Sequence, residues 1–202
     1  KLGFGGKMCL DGTRKFEEEK DDQKIDHADT TKEQNGMEAA LKSALPEVKA
    51  VNTALLTDQI PCIIISVAKN RRGHIKSLHE QVATMSQTSG VKVILYVEHT
   101  VDPHDLTTAL WRFCNNLDPR RDSFLVHRAD KQTYACMGLD GTRKTKEWDD
   151  FHRDWPNIIV ADDATIRAVD EKWDQLGIGP LIKSPSLKFK DQVYGDEAVV
   201  AG

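Results

Sequence analysis

The chain has 202 residues, of which 39% are hydrophobic and 30% are charged, and its formal net charge at pH 7 is -4. This composition is ordinary for a soluble globular protein with room for one large domain or two small ones. The acidic balance, with a pI near 6.0, argues against a nucleic-acid binder that depends on a basic face. No apolar run approaches the ~18 residues that a membrane-spanning helix needs, so we expect no transmembrane segment.

The first 36 residues are predicted to form a polar N-terminal segment or linker. Residues 16–36 are almost entirely polar, with acidic and basic side chains nearly in balance, which is typical of a solvated loop. The glycines of Gly3–Lys7 suit either a phosphate-binding loop or a flexible turn, and no buried strand precedes them as such a loop requires. The chain starts at Lys1 rather than at Met, and we expect it to be part of a longer protein.

Helices and strands alternate through the middle of the chain. A helix is predicted over Met37–Leu45, because its apolar residues share one face and Pro46 ends it. The segment Val48–Leu56 suits a strand or an extended entry segment. Two continuous apolar runs, Pro61–Lys69 and Val91–His99, predict strands that are buried on both faces. Helical spacing predicts a crossover helix between them, and its inner face would carry Ile75, Leu78, Val82 and Met85.

A second crossover helix is predicted after Val91–His99. Asp102 is placed to cap its N-terminus, Pro103 to occupy its first position and Asp105 its third. The core-facing residues of this helix would be Leu106, Leu110 and Phe113. Asp122–Arg128 is a third candidate strand. The alternation of strands and helices predicts an α/β fold in which a mostly parallel sheet is flanked by helices.

The C-terminal part is predicted to contain one more amphipathic helix and a tail. Apolar residues recur at helical spacing over residues 164–177, and Gly177 is placed to end the helix. The face of this helix would be formed by Ile166, Val169, Trp173 and Leu176. The tail has two prolines and no periodicity, so we expect it to be extended over the surface or across a partner subunit. The predicted parts are therefore the segment 1–36, an α/β domain over 37–179 and a tail over 180–202.

Several polar side chains follow the strand Val91–His99. They are Glu98, His99, Asp102, His104 and Asp105. The carboxyl end of a parallel strand is where open α/β sheets bind ligands, and imidazoles and carboxylates together could hold a divalent metal. The alternative is that Asp102 and Asp105 cap the following helix while the histidines lie in a polar loop.

The hexapeptide LDGTRK occurs twice, at Leu10–Lys15 and at Leu139–Lys144. Each copy predicts a tight Asp-Gly turn in which the Asp side chain accepts bonds from nearby backbone N–H groups, and the Arg and Lys could face an anion. If the two copies share one structure, Gly12 and Gly141 should both have the positive φ that side chains disfavour. The material between the copies is not repeated, so the chain is not a solenoid.

The cysteines predict a reducing environment. They are scattered along the chain without a C-x-x-C pair, at Cys9, Cys62, Cys114 and Cys136. A disulfide framework is typical of short secreted chains, whereas this chain is neither short nor preceded by a signal sequence. We therefore expect reduced thiols in a cytoplasmic protein.

Six motifs, in a consistent order, carry a resemblance to a known family. They lie at Gly73–Lys76, Tyr96–Asp102, Trp111, Asp118–Asp122, Gly138–Lys144 and Arg153–Trp155. With them, residues 44–178 resemble the C-terminal domain of the UbiD family, the reversible aromatic-acid decarboxylases that use prenylated flavin mononucleotide. The second LDGTRK corresponds to that family's G-[IL]-D-A-T-x-K element.

The resemblance implies the cleft-closing and oligomerisation domain of a carboxy-lyase that acts on an aromatic or polyprenyl-hydroxybenzoate-like acid. In that family a preceding domain holds the prenylated flavin, the divalent metal and the catalytic Glu-Arg-Glu network, and nothing in this sequence matches that domain. The resemblance therefore implies no catalytic, cofactor-binding or metal-binding residue here and no activity of the isolated chain. It implies the flavin-binding domain of the same full-length chain as a partner, and a homo-oligomer.

The candidate residues at the edge of the cleft are Glu98, His99, Asp102, Arg143 and Lys144. Glu98 and His99 stand where the family usually has aspartates, and the loop Arg128–Cys136 is shorter than its counterpart. A free-standing, non-catalytic assembly or binding domain is the alternative function, because a fold does not fix a function.

Overall fold

The computed structural model describes residues 13–14, 16–17, 36–127 and 135–200. The chain divides into two compact units between Lys144 and Thr145. The Gly3–Lys7 segment, the turn of the first LDGTRK copy and most of the loop Arg128–Cys136 lie outside the described residues. The division expected from the sequence, into parts 1–36, 37–179 and 180–202, remains a prediction.

A five-stranded sheet forms the centre of the first unit. The strands are β1 Val48–Asn52, β2 Cys62–Val67, β3 Val93–Glu98, β4 Ser123–Val126 and β5 Cys136–Asp140. Their order across the sheet is β1-β2-β3-β5-β4. The central strands β2, β3 and β5 run parallel, whereas β1 and β4 pair antiparallel at the two edges. The predicted α/β fold with a parallel centre is confirmed.

The third parallel strand is not the predicted one. The predicted strand Asp122–Arg128 is β4, which pairs antiparallel with β5 at the edge of the sheet. The third parallel strand is β5, and it includes the first two residues of the second LDGTRK copy. A local pattern predicts that a segment is extended, but the direction of a strand depends on its tertiary partner. The sequence predicted only a tight Asp-Gly turn in this copy and did not predict that Leu139 and Asp140 belong to a strand.

The described part of the first unit contains three predicted helices and two short helices that the sequence analysis did not predict, at Ala54–Thr57 and Pro119–Asp122. They are α1 Met37–Ala44, α2 Ala54–Thr57, α3 His74–Val82, α4 Leu106–Asn116 and α5 Pro119–Asp122, with a 3-10 turn at Ser86–Thr88. The helix expected over Met37–Leu45 and the first crossover helix are confirmed as α1 and α3. The segment Val48–Leu56 is a strand only as far as Asn52, whose Oδ1 accepts a 2.8 Å bond from the N–H of Ala54 as α2 begins.

Two apolar cores lie on opposite faces of the sheet. Strand β2 is buried along its whole length, and successive side chains of a strand point to opposite faces. Ile63 and Ile65 belong to the core that includes Leu41 of α1 and Leu78 of α3. Ile64 belongs to the other core, together with Phe113 of α4. The helices α1 and α3 therefore cover one face, and α4 covers the other.

The second unit consists of short elements. They are the antiparallel strands β6 Trp155–Pro156 and β7 Val199–Val200, the helices α6 Lys146–Asp149, α7 Asp163–Asp170 and α8 Trp173–Leu176, and a 3-10 helix at Pro185–Gln192. The predicted C-terminal helix is thus broken into α7 and α8, and Gly177 ends α8 at φ 63° as predicted. The tail expected to be extended also carries the 3-10 helix and β7. Over the described ranges, no helix has the length and apolarity to cross a bilayer.

Candidate functional site

Buried polar groups collect at the edge of the sheet where the parallel strands end. Val67 of β2 lies beside Glu98 of β3, and Tyr96 of β3 lies beside Asp140 of β5. We call the polar residues buried at this edge the edge cluster, and they are Glu98, Arg112, Asn116, Asp122, Asp140, Thr142 and Lys144. Its members come from β3, α4, α5, β5 and the segment after β5, so the cluster joins most of the elements at this end of the sheet.

Glu98 is the centre of one half of the edge cluster. Its side chain is 8% exposed, and Oε1 accepts bonds from Nε of Arg112 at 3.1 Å and from Nη2 of the same guanidinium. Oε2 accepts from Nδ2 of Asn116 at 3.3 Å and from the backbone N–H of Arg143 at 3.0 Å. A buried carboxylate is tolerated only when such charged and polar donors replace its hydration. Glu98 therefore ties β3 to α4 and to the segment after β5.

Lys144 is the centre of the other half. Its side chain is 1% exposed, and Nζ lies 3.2 Å from Oδ1 of Asp140 and 3.6 Å from Oδ2 of Asp122. Nζ also donates to the carbonyl oxygens of Asp140 at 2.9 Å and Thr142 at 2.8 Å. Two carboxylates and two carbonyl groups thus surround the ammonium and offset its lost hydration.

The segment Asp118–Asp122 supplies Asp122 to this half of the cluster and a second cation, Arg121, that pairs with it. Nε of Arg121 donates to Oδ1 of Asp122 at 2.7 Å, and Nη2 donates to Oδ2 at 2.7 Å, which is the bidentate geometry of a strong arginine–carboxylate pair. The bond to Asp122 raises the pKa of Arg121 above its ordinary value. The side chain of Asp118 accepts from the N–H of Arg120 and so caps α5.

The second LDGTRK copy is held from several sides. Oδ1 of Asp140 accepts from the N–H of Thr142 at 2.9 Å and from its hydroxyl at 2.5 Å, so the predicted Asp-to-backbone bond is confirmed for this copy. Nζ of Lys69, just beyond β2, donates to the carbonyl of Arg143 at 2.7 Å and to Oγ1 of Thr142 at 3.2 Å. The main chain of Arg143 is therefore fixed by Lys69 and by Glu98 together.

Gly141 is required for a reason that differs from the prediction. Positive φ was expected, but Gly141 is not among the glycines that have it. A Cβ at this position would instead lie 2.5 Å from Cδ2 of Phe113, 2.8 Å from Cα of Phe113 and 3.0 Å from the carbonyl oxygen of Tyr96. The close approach of α4 to the end of β5 excludes a side chain there. Gly12 lies outside the described residues.

Helix α4 begins three residues later than predicted. Its N-cap is Asp105 rather than Asp102, and the Asp105 side chain accepts from the N–H of Thr108 at 3.1 Å and from its hydroxyl at 2.6 Å. Oδ1 of Asp102 accepts from the N–H of His104 at 2.9 Å, which is a turn bond that precedes the helix. The capping role expected in this segment is correct, but the residue that performs it is Asp105.

The inner face of α4 also differs from the prediction. Of the three residues expected to face the core, Phe113 is 7% exposed, whereas Leu106 and Leu110 are 38% and 39% exposed. The buried side chains of α4 include Thr108, Arg112 and Asn116. The helix is rotated so that Arg112 and Asn116 reach Glu98, and this requirement overrides the apolar pattern.

The structure brings together only some of the candidate residues. Glu98 and Lys144 are buried in the edge cluster, and Arg143 is half-buried beside them, whereas His99 and Asp102 are exposed after β3. Sequence reasoning missed Arg112, Asn116 and Asp122 as partners. The spacing of Arg112 and Asn116, four residues apart on a helix, was the available signal, since such residues share one face.

The acidic side chains in and beside the edge cluster bond to other groups of the protein. Within the described part of the chain, no group of three His, Cys, Asp or Glu side chains could hold a metal ion. Glu98 is paired with Arg112 and Asp105 caps α4, so neither is available as a ligand. The charged groups of the edge cluster thus form ion pairs with one another.

Two buried histidines of α3 bond to neighbouring parts of the chain. Nε2 of His79 lies 3.1 Å from the carbonyl oxygen of Cys136 and must carry the proton, so Nδ1 accepts from the Tyr96 hydroxyl at 3.0 Å. Burial raises the pKa of Tyr96 well above its ordinary value, which keeps this hydroxyl a donor. Nδ1 of His74 accepts from a backbone N–H, and Nε2 bonds to Oε1 of Glu47 at 3.0 Å. That bond lowers the pKa of Glu47 below its usual range.

The fold and the site define a class of protein. It is a three-layered α/β domain with a buried ionic cluster at the carboxyl edge of its parallel strands. Residues 31–146, more than half of the chain, match the family described as 3-octaprenyl-4-hydroxybenzoate carboxy-lyase C-terminal domain. The chain therefore belongs to this family of UbiD C-terminal domains. A protein of Aeropyrum pernix is 28% identical in an alignment of 149 residues that covers 69% of this chain and 30% of that protein.

Solved structures agree in fold. The closed form of the vanillic acid decarboxylase of Sedimentibacter hydroxybenzoicus matches with a TM-score of 0.52 and 22% identity over 71% of this chain and 31% of that one. The UbiD-class enzyme HmfF of Pelotomaculum thermopropionicum, in complex with FMN, matches with a TM-score of 0.50 and 21% identity over 70% of this chain and 33% of that one. The chain thus spans about a third of the length of these relatives.

Proposed function

We propose that this chain is the C-terminal, cleft-closing and oligomerisation domain of a UbiD-type carboxy-lyase. The enzyme would act reversibly on an aromatic or polyprenyl-hydroxybenzoate-like acid, in the cytoplasm. The observation that supports this most strongly is the family match over residues 31–146. Because the chain spans about a third of the length of its relatives, the complete activity would need the polypeptide that those relatives have in addition.

In this proposal the edge cluster positions the rim of the cleft. Glu98 and Lys69 hold the main chain of Arg143. The buried Lys144 holds the residues before it, through the carbonyl oxygens of Asp140 and Thr142. His99, Asp102 and the side chain of Arg143 are the candidates for the surface that faces the cleft. Rigid supports of this kind suit a domain that excludes water and orients a substrate.

The cofactors belong to the rest of the enzyme in this proposal. A prenylated FMN and a divalent metal supply the covalent chemistry of such enzymes, and the similar protein HmfF is in complex with FMN. The flavin-binding domain would hold both, and the present chain would line one side of the cleft and exclude water from it. The isolated chain is expected to be inactive.

The test is a decarboxylation assay in two arms. The purified chain is given prenylated FMN, manganese and an aromatic acid, and separately the same additions are made to the complete enzyme that contains the chain. We expect carbon dioxide release from the complete enzyme and none from the chain alone. Turnover by the chain alone would contradict the assignment of the chemistry to the other domain.

A second candidate is a non-catalytic binding domain of the same fold. The observation that favours it is that the charged groups of the edge cluster bond to one another. Deleting the chain from the complete enzyme discriminates the two candidates. A cleft-closing domain is required for turnover, whereas a binding module can be removed with turnover intact and only assembly lost.

A further inference from the structure

Helix α4 is inverted relative to an ordinary surface helix, because it exposes apolar side chains and buries polar ones. Leu106, Leu110 and Trp111 are 38%, 39% and 43% exposed, whereas Arg112 is 4% exposed and Asn116 is 1% exposed. Residues of a helix follow one another at about 100°, so these three apolar residues share an arc of about 140°. The exposed Cys114 lies within that arc. We call Leu106, Leu110, Trp111 and Cys114 the outer face of α4.

The helix on the opposite side of the sheet has the ordinary arrangement. Helix α3 buries Ile75, Leu78 and Val82, and its exposed residues Lys76 and Glu80 are charged. The solvent-facing side of a surface helix usually carries polar residues. The outer face of α4 breaks that rule, and apolar surface rimmed by polar residues marks an interaction site.

We propose that the outer face of α4 docks against the flavin-binding part of a UbiD-type enzyme. This inference rests on the proposed function. The relatives of known structure are about three times as long as the matched region, because the chain covers 31% and 33% of them. Each of those enzymes therefore has further polypeptide available to cover this surface.

The size of the surface favours a neighbouring domain over a second copy of the chain. A stable interface between separate proteins buries about 800 Å² on each partner, and the side chains of one short helix provide less than that. Interfaces between domains of one chain can be smaller, because the covalent link raises the effective concentration of the partner.

Docking at this face would act on the edge cluster through α4. The inner side of the same helix holds Glu98 through Arg112 and Asn116, and Glu98 holds the N–H of Arg143. A partner that fixes the register of α4 therefore also fixes the main chain of Arg143. The outer face would thus connect domain docking to the proposed rim of the cleft.

Alkylation of Cys114 tests the proposal. Iodoacetamide is applied to the 202-residue chain and to the complete enzyme, and labelling is followed by peptide-resolved mass spectrometry. We expect Cys114 to react at least ~10-fold more slowly in the complete enzyme, because thiol reactivity requires access. Leu110→Lys in the complete enzyme should restore the labelling and lower turnover. The matched control Gln81→Lys, on the exposed side of α3, should change neither.

Three outcomes would overturn the proposal. The first is equal labelling of Cys114 in both proteins, and the second is protection that persists in Leu110→Lys. The third is protection that develops in the isolated chain as its concentration rises, which would identify a second copy as the occupant. The thermal midpoint and circular dichroism of each variant establish that it is folded, and Leu106→Gln serves as a second, milder variant. Labelling and turnover are measured separately. An unprotected Cys114 in an active enzyme would contradict only the docking surface. A protected Cys114 in an enzyme that does not decarboxylate would contradict only the proposed function.

Discussion

The two crossover helices of the sheet differ in which side they bury. Helix α3 buries aliphatic residues and exposes Lys76, Glu80 and Gln81, whereas α4 buries Arg112 and Asn116 and exposes Leu110. Helix α3 connects the parallel strands β2 and β3, whereas α4 follows β3 and precedes the antiparallel edge strand β4. Both helices contribute to an apolar core. The comparison teaches that the apolar side of a helix is not always its inner side, even in one small domain.

The difference between the helices follows from how the neighbouring strands end. Strand β3 ends inside the protein at Glu98, and a buried carboxylate needs charged and polar donors close by. Arg112 and Asn116 meet that need only if α4 turns them inwards. Strand β2 ends at Val67, and the carboxylate that bonds to α3, that of Glu47, remains 17% exposed and pairs with His74.

Removing Arg112 should have the largest effect on stability. Arg112→Leu leaves Glu98 as a buried charge without its main partner, which typically costs about 3–5 kcal/mol in the free energy of unfolding. Urea denaturation of the purified chain measures this cost. The double variant Glu98→Leu/Arg112→Leu is the control and should recover a large part of the loss. A cost of less than about 1 kcal/mol for the single variant would mean that Arg112 behaves as a surface residue.

A side chain at Gly141 should have the next largest effect. Gly141→Val would push branched carbons against the backbone of Phe113, whose Cα lies 2.8 Å from an ideal Cβ. Overpacking of this kind costs about 3 kcal/mol in the free energy of unfolding. Gly73→Ala is the matched control, because Gly73 has φ +66° and nothing within 4 Å of its ideal Cβ. It should cost about 1 kcal/mol, from backbone conformation alone. Equal costs at the two glycines would contradict the close approach of α4 to β5.

The cap of α4 should make a smaller contribution. Asp105→Ala removes two bonds to Thr108, and losing an N-cap costs about 1 kcal/mol. Asp102→Ala serves as the control, since Asp102 is exposed and precedes the helix, and it should cost less than about 0.5 kcal/mol. Thermal or urea unfolding of both variants checks this order. The reverse order would restore Asp102 as the cap predicted from the sequence.

The smallest expected effect concerns Glu47, beside α3. The bond from His74 lowers the pKa of Glu47 in the folded chain, so the carboxylate adds stability above its unfolded pKa of about 4.3 and loses it as the pH falls through the folded value. The stability difference between the wild type and Glu47→Gln should therefore shrink between about pH 6 and about pH 3, by less than about 1 kcal/mol. Glu80→Gln, which removes an exposed carboxylate of α3, is the matched control. A difference that grows on acidification would reverse the sign of this contribution.

The sequence predicts the elements of the sheet better than their partners. Strands β2 and β3 are continuous apolar runs and α1 and α3 have clear helical spacing, so local pattern was enough. The antiparallel direction of β4 depends on its pairing with β5, which no local pattern contains. The same is true of the inner face of α4, because Glu98 precedes Arg112 by fourteen residues and only the fold brings them together.

The most direct test of the inverted α4 is the reactivity of the cysteines in the native chain alone. Cys114 is exposed on the outer face of α4, whereas Cys62 and Cys136 are buried, and burial raises the pKa of Cys62 to about 11. Iodoacetamide near pH ~8 should therefore modify Cys114 quickly and leave Cys62 and Cys136 unmodified until the chain is unfolded. If Leu106 and Leu110 faced the core instead, Cys114 would face it too and be protected, because it lies on the same side of the helix, about 40° beyond Leu110. Slow labelling of Cys114 in the folded, monomeric chain would contradict the orientation of α4 on which this account depends.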